Sequence, residues 1–261
     1  MPTTTTHAPG TFCWPELATN DAKSALAFYG ALLGWTFRMS ETGMGPYHIA
    51  QLGGRDAAAL YEISGPMADQ GVPPHWTSYV TVADADEAAR LATANGGTVV
   101  KEPFDVMEMG RMAVILDPQG AAFCVWQGKA SPGAGVLAEP GALAWTQLNA
   151  RDPQKAKAFY PAVLGWTFRD DAMGPNLTYT TWLKAGGAAG GMMPMPPLVP
   201  KEIPSAWLGY FAASDVDATA AKAASLGATI MVPAMDIRPG LRFSVLADPQ
   251  GAMFALMSGQ P

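Results

Sequence analysis

Few side chains in this sequence could carry out covalent or metal chemistry. Histidine occurs only at positions 7, 48 and 75, and cysteine only at 13 and 124. A two-histidine, one-carboxylate metal site needs two imidazoles and a carboxylate facing one point. His48 and His75 with Glu62 or Glu16 form the one candidate set, and it lies wholly in the first half of the chain. Two separate histidines hydrogen-bonded near strand ends account for these residues better than a metal does. Cys124 has no histidine close in sequence to make a thiolate pair, and no Gly-x-Ser-x-Gly elbow occurs. The glycine-rich stretch 186–191 lacks the lysine and helix context of a phosphate loop and reads as a tight turn. Glu16 is the single carboxylate with a candidate catalytic role. It shares strand parity with Trp14, and burial in a cavity would raise its pKa into the range of proton transfer. Aromatic and thioether surface is abundant by contrast, with 15 Met, 8 Trp and 7 Tyr.

A tandem repeat places these residues. Ala27-Phe28-Tyr29 returns as Ala158-Phe159-Tyr160, Gly34-Trp35-Thr36-Phe37-Arg38 as Gly165-Trp166-Thr167-Phe168-Arg169, and Asp117-Pro118-Gln119-Gly120 as Asp248-Pro249-Gln250-Gly251, each 131 residues later. Trp14 and Trp145, Trp76 and Trp207, Tyr79 and Tyr210, and Arg111 and Arg242 keep the same spacing. The organisation expected is a flexible tail over 1–10, a first domain over 11–127, a Gly/Pro/Ala linker over 128–141 and a second domain over 142–258. Each copy predicts a strand at 12–18 and a helix opened by Asn20-Asp21 and ended by Gly34. Ala22, Ala25, Leu26, Tyr29 and Leu33 lie on one face of that helix. Strands follow at 35–39, 47–52, 57–63 and 76–82, and Asp84 with Glu87 predicts a capping box on a second helix. Strands at 98–101, 112–116 and 121–126 close the copy, with Asp-Pro-Gln-Gly as the last hairpin turn. Every copy is therefore βαβββ twice over. The class is α+β, with four such modules whose sheets are covered by helices on one face and free on the other.

These motifs resemble the vicinal-oxygen-chelate superfamily, which includes glyoxalase I, extradiol dioxygenases and bleomycin-resistance proteins. The Phe-Tyr-x3-Leu-Gly-Trp helix end, Val82-Ala83-Asp84-Ala85-Asp86 and the Asp-Pro-Gln-Gly turn carry the likeness over residues 10–258. More narrowly, the chain resembles actinobacterial tandem glyoxalase-like proteins, often labelled hydroxylases, some encoded beside polyketide antibiotic pathways. The resemblance implies sheets forming open cups that hold a ligand, and a divalent metal bound by His, Gln or Glu from the first, fourth, fifth and eighth strands of a copy. Those positions fall on Trp14, near Glu62, on Thr77 and on Cys124 in the first copy, and on Trp145, Met193, Leu208 and Ala255 in the second. Indole, thioether and methyl groups are not ligands for such a metal, so the expectation is no metal and no cofactor.

What replaces the ligands is directional. Trp14, Glu16, Tyr47, Glu62, His75, Tyr79, Met112, Cys124 and Trp126 are the candidate ligand-binding residues of the first cup. Trp145, Gln147, Tyr179, Met193 and Tyr210 are those of the second. Thioethers re-pack around varied apolar ligands and aromatic rings stack on flat ones. Trp76 and Trp207 have the parity that faces the helices and are expected in the core. The net charge of −6 with 16 Lys plus Arg and no basic run excludes nucleic-acid and anionic-membrane partners. The two cysteines in apolar strands and the absence of an apolar run of ~20 residues point to the cytoplasm. The function expected is metal-independent binding of a flat aromatic small molecule, for antibiotic or polyketide sequestration, resistance or help to a pathway. A tailoring enzyme of the same pathway is the expected protein partner. The competing expectation is a glyoxalase-like lyase or an oxygenase/hydroxylase tailoring enzyme.

Overall fold

The computed structural model describes residues 6–41, 45–175 and 177–259. The first module is β1 (Phe12–Thr19), α1 (Ala22–Leu33), β2 (Thr36–Glu41), β3 (Pro46–Leu52) and β4 (Arg55–Glu62), followed by the short α2 (Pro66–Asp69). The second is β5 (His75–Thr81), α3 (Ala85–Ala94), β6 (Thr98–Val106), β7 (Gly110–Leu116) and β8 (Ala122–Gly128). The third is β9 (Leu143–Ala150), α4 (Pro153–Leu164), β10 (Thr167–Gly174), β11 (Leu177–Lys184) and β12 (Gly187–Pro194). The fourth is β13 (Ala206–Ala212), α5 (Val216–Ser225), β14 (Thr229–Arg238), β15 (Leu241–Ala247) and β16 (Met253–Ser258). Hydrogen bonding joins the strands of each copy into one eight-stranded sheet, in the orders β2-β3-β4-β1-β5-β8-β7-β6 and β10-β11-β12-β9-β13-β16-β15-β14.

Local chemistry fixes the helices. Asp21, Asp84, Asp152 and Asp215 stand at the N-caps of α1, α3, α4 and α5 in extended conformation, each accepting a first-turn backbone N–H. Gly34 and Gly165 end α1 and α4 with φ of 75° and 67°, a left-handed geometry that costs glycine nothing. The capping box expected on α3 forms only in its first half. Asp84 accepts from Asp86 and Glu87 N–H, while the Glu87 carboxylate pairs with Arg90 one turn on. The sixth strand runs past the predicted end at 101, and two register shifts carry it over Pro103 at the sheet edge.

By contact density the chain forms two compact units, and each draws on both copies. One comprises residues up to Trp14 with Ser78–Gly133 and Thr146–Trp207. The other comprises Pro15–Thr77, Ala134–Trp145 and the chain from Leu208 on. In the latter, the buried Tyr29 hydroxyl accepts from Trp76 Nε1 (2.9 Å) and donates to Asp248 (2.9 Å). Asp248 also accepts the N–H groups of Gln250 and Ala252. Gln250 in turn grips the start of the first helix: Oε1 accepts from Thr19 Oγ1 (2.6 Å) and Asp21 N (2.7 Å), and Nε2 donates to Asp21 O. The former unit repeats this with Trp207, Tyr160 and Asp117 at 2.9 and 3.0 Å, and Gln119 Oε1 accepts from Asp152 N at 2.5 Å. Tyr29 stacks on Trp35 and meets Trp76 edge-on, as Tyr160 does with Trp166 and Trp207. The two indoles expected in the core, Trp76 and Trp207, are thus members of these lattices.

The Gly/Pro linker is a fixed strap. Ala134 and Val136 are buried, Gly135 N–H donates to Asp56 O, and Arg55 holds Glu139 through two contacts of 2.7 Å. Gly133 has φ +115°, and a Cβ there would lie 2.7 Å from Cys13 O, so the strap passes too close for any other residue. Gly10, at the end of the expected tail, is buried too: it donates to Thr81 O and accepts from Trp166 Nε1.

Removing one tyrosine hydroxyl leaves a buried carboxylate oxygen and an indole N–H without their partner. Tyr29→Phe and Tyr160→Phe should each cost about 1–3 kcal/mol, lowering the thermal midpoint by roughly 2–4 °C per kcal/mol. Thermal unfolding followed by circular dichroism checks this. A midpoint equal to the parent's in both variants would show that the hydroxyls are not holding the copies together.

Candidate functional site

Each sheet carries two kinds of surface on the side away from the helices. In the unit containing β6–β8, Tyr79, Met112, Cys124 and Trp126 close with Cys13 into a buried cluster, against which Trp14, Phe104, Val106 and Val114 pack. Cross-strand pairing explains the cluster, since Tyr79 stands beside Cys124 and Met112 opposite Trp126. Cys13 and Trp14 are consecutive, yet both reach it, so strict alternation along β1 breaks there. The strap seals this patch, with Trp126 Nε1 donating to Ser131 O. In the other unit Leu208, Tyr210, Leu241, Val245, Ala255 and Met257 form the equivalent cluster, with Trp145 and Phe243 against it. Tyr79, Met112, Cys124, Trp126 and Tyr210 are therefore packed core side chains, each less than a tenth exposed.

The remaining half of each sheet is more polar. In the first copy β1 runs parallel to β4 with Glu16 beside Ala59, and β3 runs antiparallel to β4 with Tyr47 opposite Tyr61 and Ile49 opposite Ala59. Glu16, Tyr47, Ile49, Ala59 and Tyr61 thus share one face. The Tyr47 hydroxyl donates to the Glu16 carboxylate at 2.5 Å, and the Tyr61 hydroxyl lies 3.9 Å from the Met67 sulfur. Glu16, Tyr47 and Tyr61 are half-buried around the methyl-sized Ala59. Glu62 lies on the opposite face, where its carboxylate accepts the Ala22 N–H at the start of the first helix. His48 pairs with Leu60 on that same far face, and His75 Nδ1 lies 2.8 Å from Pro73 O. His48, His75 and Glu62, the candidate set for a displaced metal site, are therefore not brought together: Glu62 serves a helix start, and the histidines stand apart on two strands.

Register corrects the alignment of the copies in this hairpin. Gln147 stands beside Gly191, Thr181 opposite Gly191, and Met193 beside Asn149. The counterparts of Tyr47, Ala59 and Tyr61 are accordingly Tyr179, Gly191 and Met193, at a spacing of 132 rather than 131. Met193 therefore matches Tyr61, and Glu62 has Pro194 as its partner. Tyr61 and Asn149 were missed on sequence alone. The spacings of Tyr47 to Tyr179 and Gly54 to Gly186, both 132, were the signal that could have found them. In the second copy Gln147 Nε2 donates to Asn149 Oδ1 at 3.2 Å, so one amide stands where the first copy has the Glu16 carboxylate and another where it has Ala18.

The donor set does not fit the divalent metal that the resemblance implies. Trp14, Trp145, Leu208, Cys124 and Ala255 are built into or against apolar clusters. Among the described residues no three His, Cys, Asp or Glu side chains converge. Burial pushes the Cys13 thiol up to about 12, and its S–H points to Tyr79 O. That keeps it protonated and inert. Among the described residues no helix is long and apolar enough to cross a membrane.

Comparison with known proteins follows the fold. A family model described as Glyoxalase/Bleomycin resistance protein/Dioxygenase superfamily matches residues 11–125 and again 142–256. "Putative glyoxylase CFP32" of Mycobacterium tuberculosis is 38% identical over 263 residues, covering 100% of this chain and 99% of that protein. "Anthracycline biosynthesis protein DnrV" of Streptomyces peucetius is 34% identical over 264 residues, covering 97% and 94%. Among solved structures, the Mn(II)-bound glyoxalase from Novosphingobium aromaticivorans superposes with a TM-score of 0.67 at 16% identity, covering 96% of this chain and 82% of that one. The 2,2',3-trihydroxybiphenyl 1,2-dioxygenase from Sphingomonas wittichii strain RW1 gives 0.66 at 15%, covering 97% and 92%. At these identities the structural likeness concerns the fold.

Cys13 and Cys124 are both buried, so neither should react with a thiol reagent such as DTNB at pH 8 until the protein is unfolded in guanidinium. Rapid labelling of the native protein would place a thiol on an open surface instead.

Proposed function

Because the chain belongs to the Glyoxalase/Bleomycin resistance protein/Dioxygenase superfamily, we propose that it uses this fold without a metal, to bind a flat aromatic small molecule. The observation that carries the reading is the short Tyr47–Glu16 hydrogen bond on a half-buried face floored by Ala59 and flanked by Tyr61. A carboxylate already accepting from one phenol has lone pairs for a second, so a ligand hydroxyl can join the pair. The ring of Tyr61 and the soft Met67 sulfur then offer a face for stacking. A relative is named for anthracycline biosynthesis, and an anthracycline is a planar polycyclic hydroxyquinone, which is the chemistry such a face selects. The role that follows is sequestration of the compound, or its handover to a tailoring enzyme of the same pathway. The cytoplasm, where such compounds are assembled, is the site of action this reading assumes.

The same short contact favours a second reading, in which Glu16 moves a proton during a lyase or oxygenase reaction. Metal analysis by plasma mass spectrometry and turnover assays separate the two. Stoichiometric metal in the purified protein, or turnover abolished by Glu16→Gln, would support the enzyme.

Binding is read from quenching of tryptophan fluorescence by a panel of polycyclic hydroxyquinones. Glu16→Gln should weaken a ligand that donates to the carboxylate by about 1.5–3 kcal/mol, and Tyr61→Ala should remove about 0.5–1.5 kcal/mol of stacking. A panel without saturable binding, or affinities indifferent to both substitutions, sinks the proposal.

A further inference from the structure

On the helix-covered side of the second copy lies a cavity of about 220 Å³, lined by Pro153, Gln154, Lys157, Asp170, Thr178, Thr180, Met192 and Pro194. Within it the Lys157 ammonium, on a side chain only 10% exposed, contacts Asp170 at 2.7 Å and lies 5.0 Å from the centre of the Phe168 ring. The buried Thr180 hydroxyl donates to the other Asp170 oxygen at 2.7 Å.

The first copy supplies an internal control. Its α1 packs on its own hairpin in the same register, with Met39 opposite His48 and His48 opposite Leu60, as Asp170 stands opposite Thr180 and Thr180 opposite Met192. The position of Lys157 is taken there by Leu26 and that of Asp170 by Met39. The fold therefore makes this helix-on-hairpin contact without an ion pair. The Asp170 side chain is 41% exposed, and an ion pair open to solvent on one side contributes only about 0–1 kcal/mol to stability. Its presence in one copy alone is unexplained by folding.

We propose that this cavity is a second ligand site, separate from the open-face site, for a neutral polyhydroxylated ring of monosaccharide size. Lys157 and Asp170 cancel in charge, so the pocket has no net preference for an anion or a cation. One ammonium, one carboxylate, two threonine hydroxyls and the Gln154 amide line it together, a mixture of donors and acceptors that matches the paired donor and acceptor character of ring hydroxyls. Pro153, Pro194 and Met192 provide the apolar wall that the C–H face of such a ring requires. The volume lies below the ~300–1,000 Å³ of drug-sized sites, consistent with a single small ring.

The test gives the cavity the residues of the other copy, as Lys157→Leu with Asp170→Met in the full chain. Binding of D-glucose, D-galactose and myo-inositol, with phosphate and acetate alongside, is followed by saturation-transfer NMR, and stability by thermal unfolding. Saturable binding of at least one polyol is expected, weakened about tenfold or more in the double variant, with a thermal midpoint unchanged or raised. Three results each overturn the proposal: no polyol binding, binding of phosphate or acetate alone, or a double variant that melts lower than its parent. The last would make the ion pair a structural element.

Discussion

In each unit a tyrosine hydroxyl is held between an indole N–H and a carboxylate, and the tyrosine and the carboxylate come from different copies. Tyr29 with Asp248 and Tyr160 with Asp117 carry the same three-part arrangement. Burial and the neighbouring carboxylate push both phenols well above their usual range, so each remains a donor at any physiological pH. For Asp117, burial outweighs the N–H groups it accepts and raises its carboxyl pKa. Folding therefore takes up a proton between the ordinary carboxyl pKa and the raised one, and this group's contribution to stability falls as pH rises through that window. The aspartates are turn residues as well. The contact that fastens the copies is thus inseparable from the contact that shapes the last hairpin.

This dependence explains how much could be read in the amino acids alone. The repeat, the four modules, the aspartate caps and the Gly34 stop all rest on local patterns, and all are present in the fold. The Asp-Pro-Gln-Gly motif was legible as a turn but not as a clasp, because its partners are more than 200 residues away for Tyr29 and Asp248. The open faces were legible only in part. Parity along the first strand joined Glu16 to Trp14, but it could not reveal the contact of Glu16 with Tyr47 or that Tyr79, Met112, Cys124 and Trp126 close on one another. Nor could a fixed repeat spacing reveal the extra residue that moves Met193 onto the position of Tyr61. Glu62 was misplaced because it is the last residue of its strand, where one step of alternation decides between the open face and the start of the first helix.

Duplication has left the two copies alike where they hold each other and unlike where they meet solvent. The Tyr–Trp–Asp clasps and the aspartate caps recur in both copies, and the aromatic lattices share their centres and differ at their edges, where Trp182 has Ala50 as its counterpart and Phe211 has Val80. The open faces differ, with the Glu16 carboxylate and the Tyr61 phenol in one, and the Gln147 and Asn149 amides and the Met193 thioether in the other. The outer grooves differ again, with Leu26 and Met39 in one copy where the other has the Lys157–Asp170 ion pair. A gene that doubles a scaffold keeps one set of constraints and releases another, so the places of divergence carry functional meaning that no single copy would show.

The interleaving of the units has a consequence for synthesis. Residues 15–77 complete their packing only with the chain from Leu208 on. At ~5–20 residues per second, the first helix must wait on the order of ten seconds for its clasp after leaving the ribosome. During that interval Phe28, Tyr29 and Trp35, all buried in the finished protein, are exposed on a nascent chain. Such surfaces invite premature association between neighbouring chains on one message, so production of this protein is expected to be more sensitive to chaperone supply than its final stability suggests.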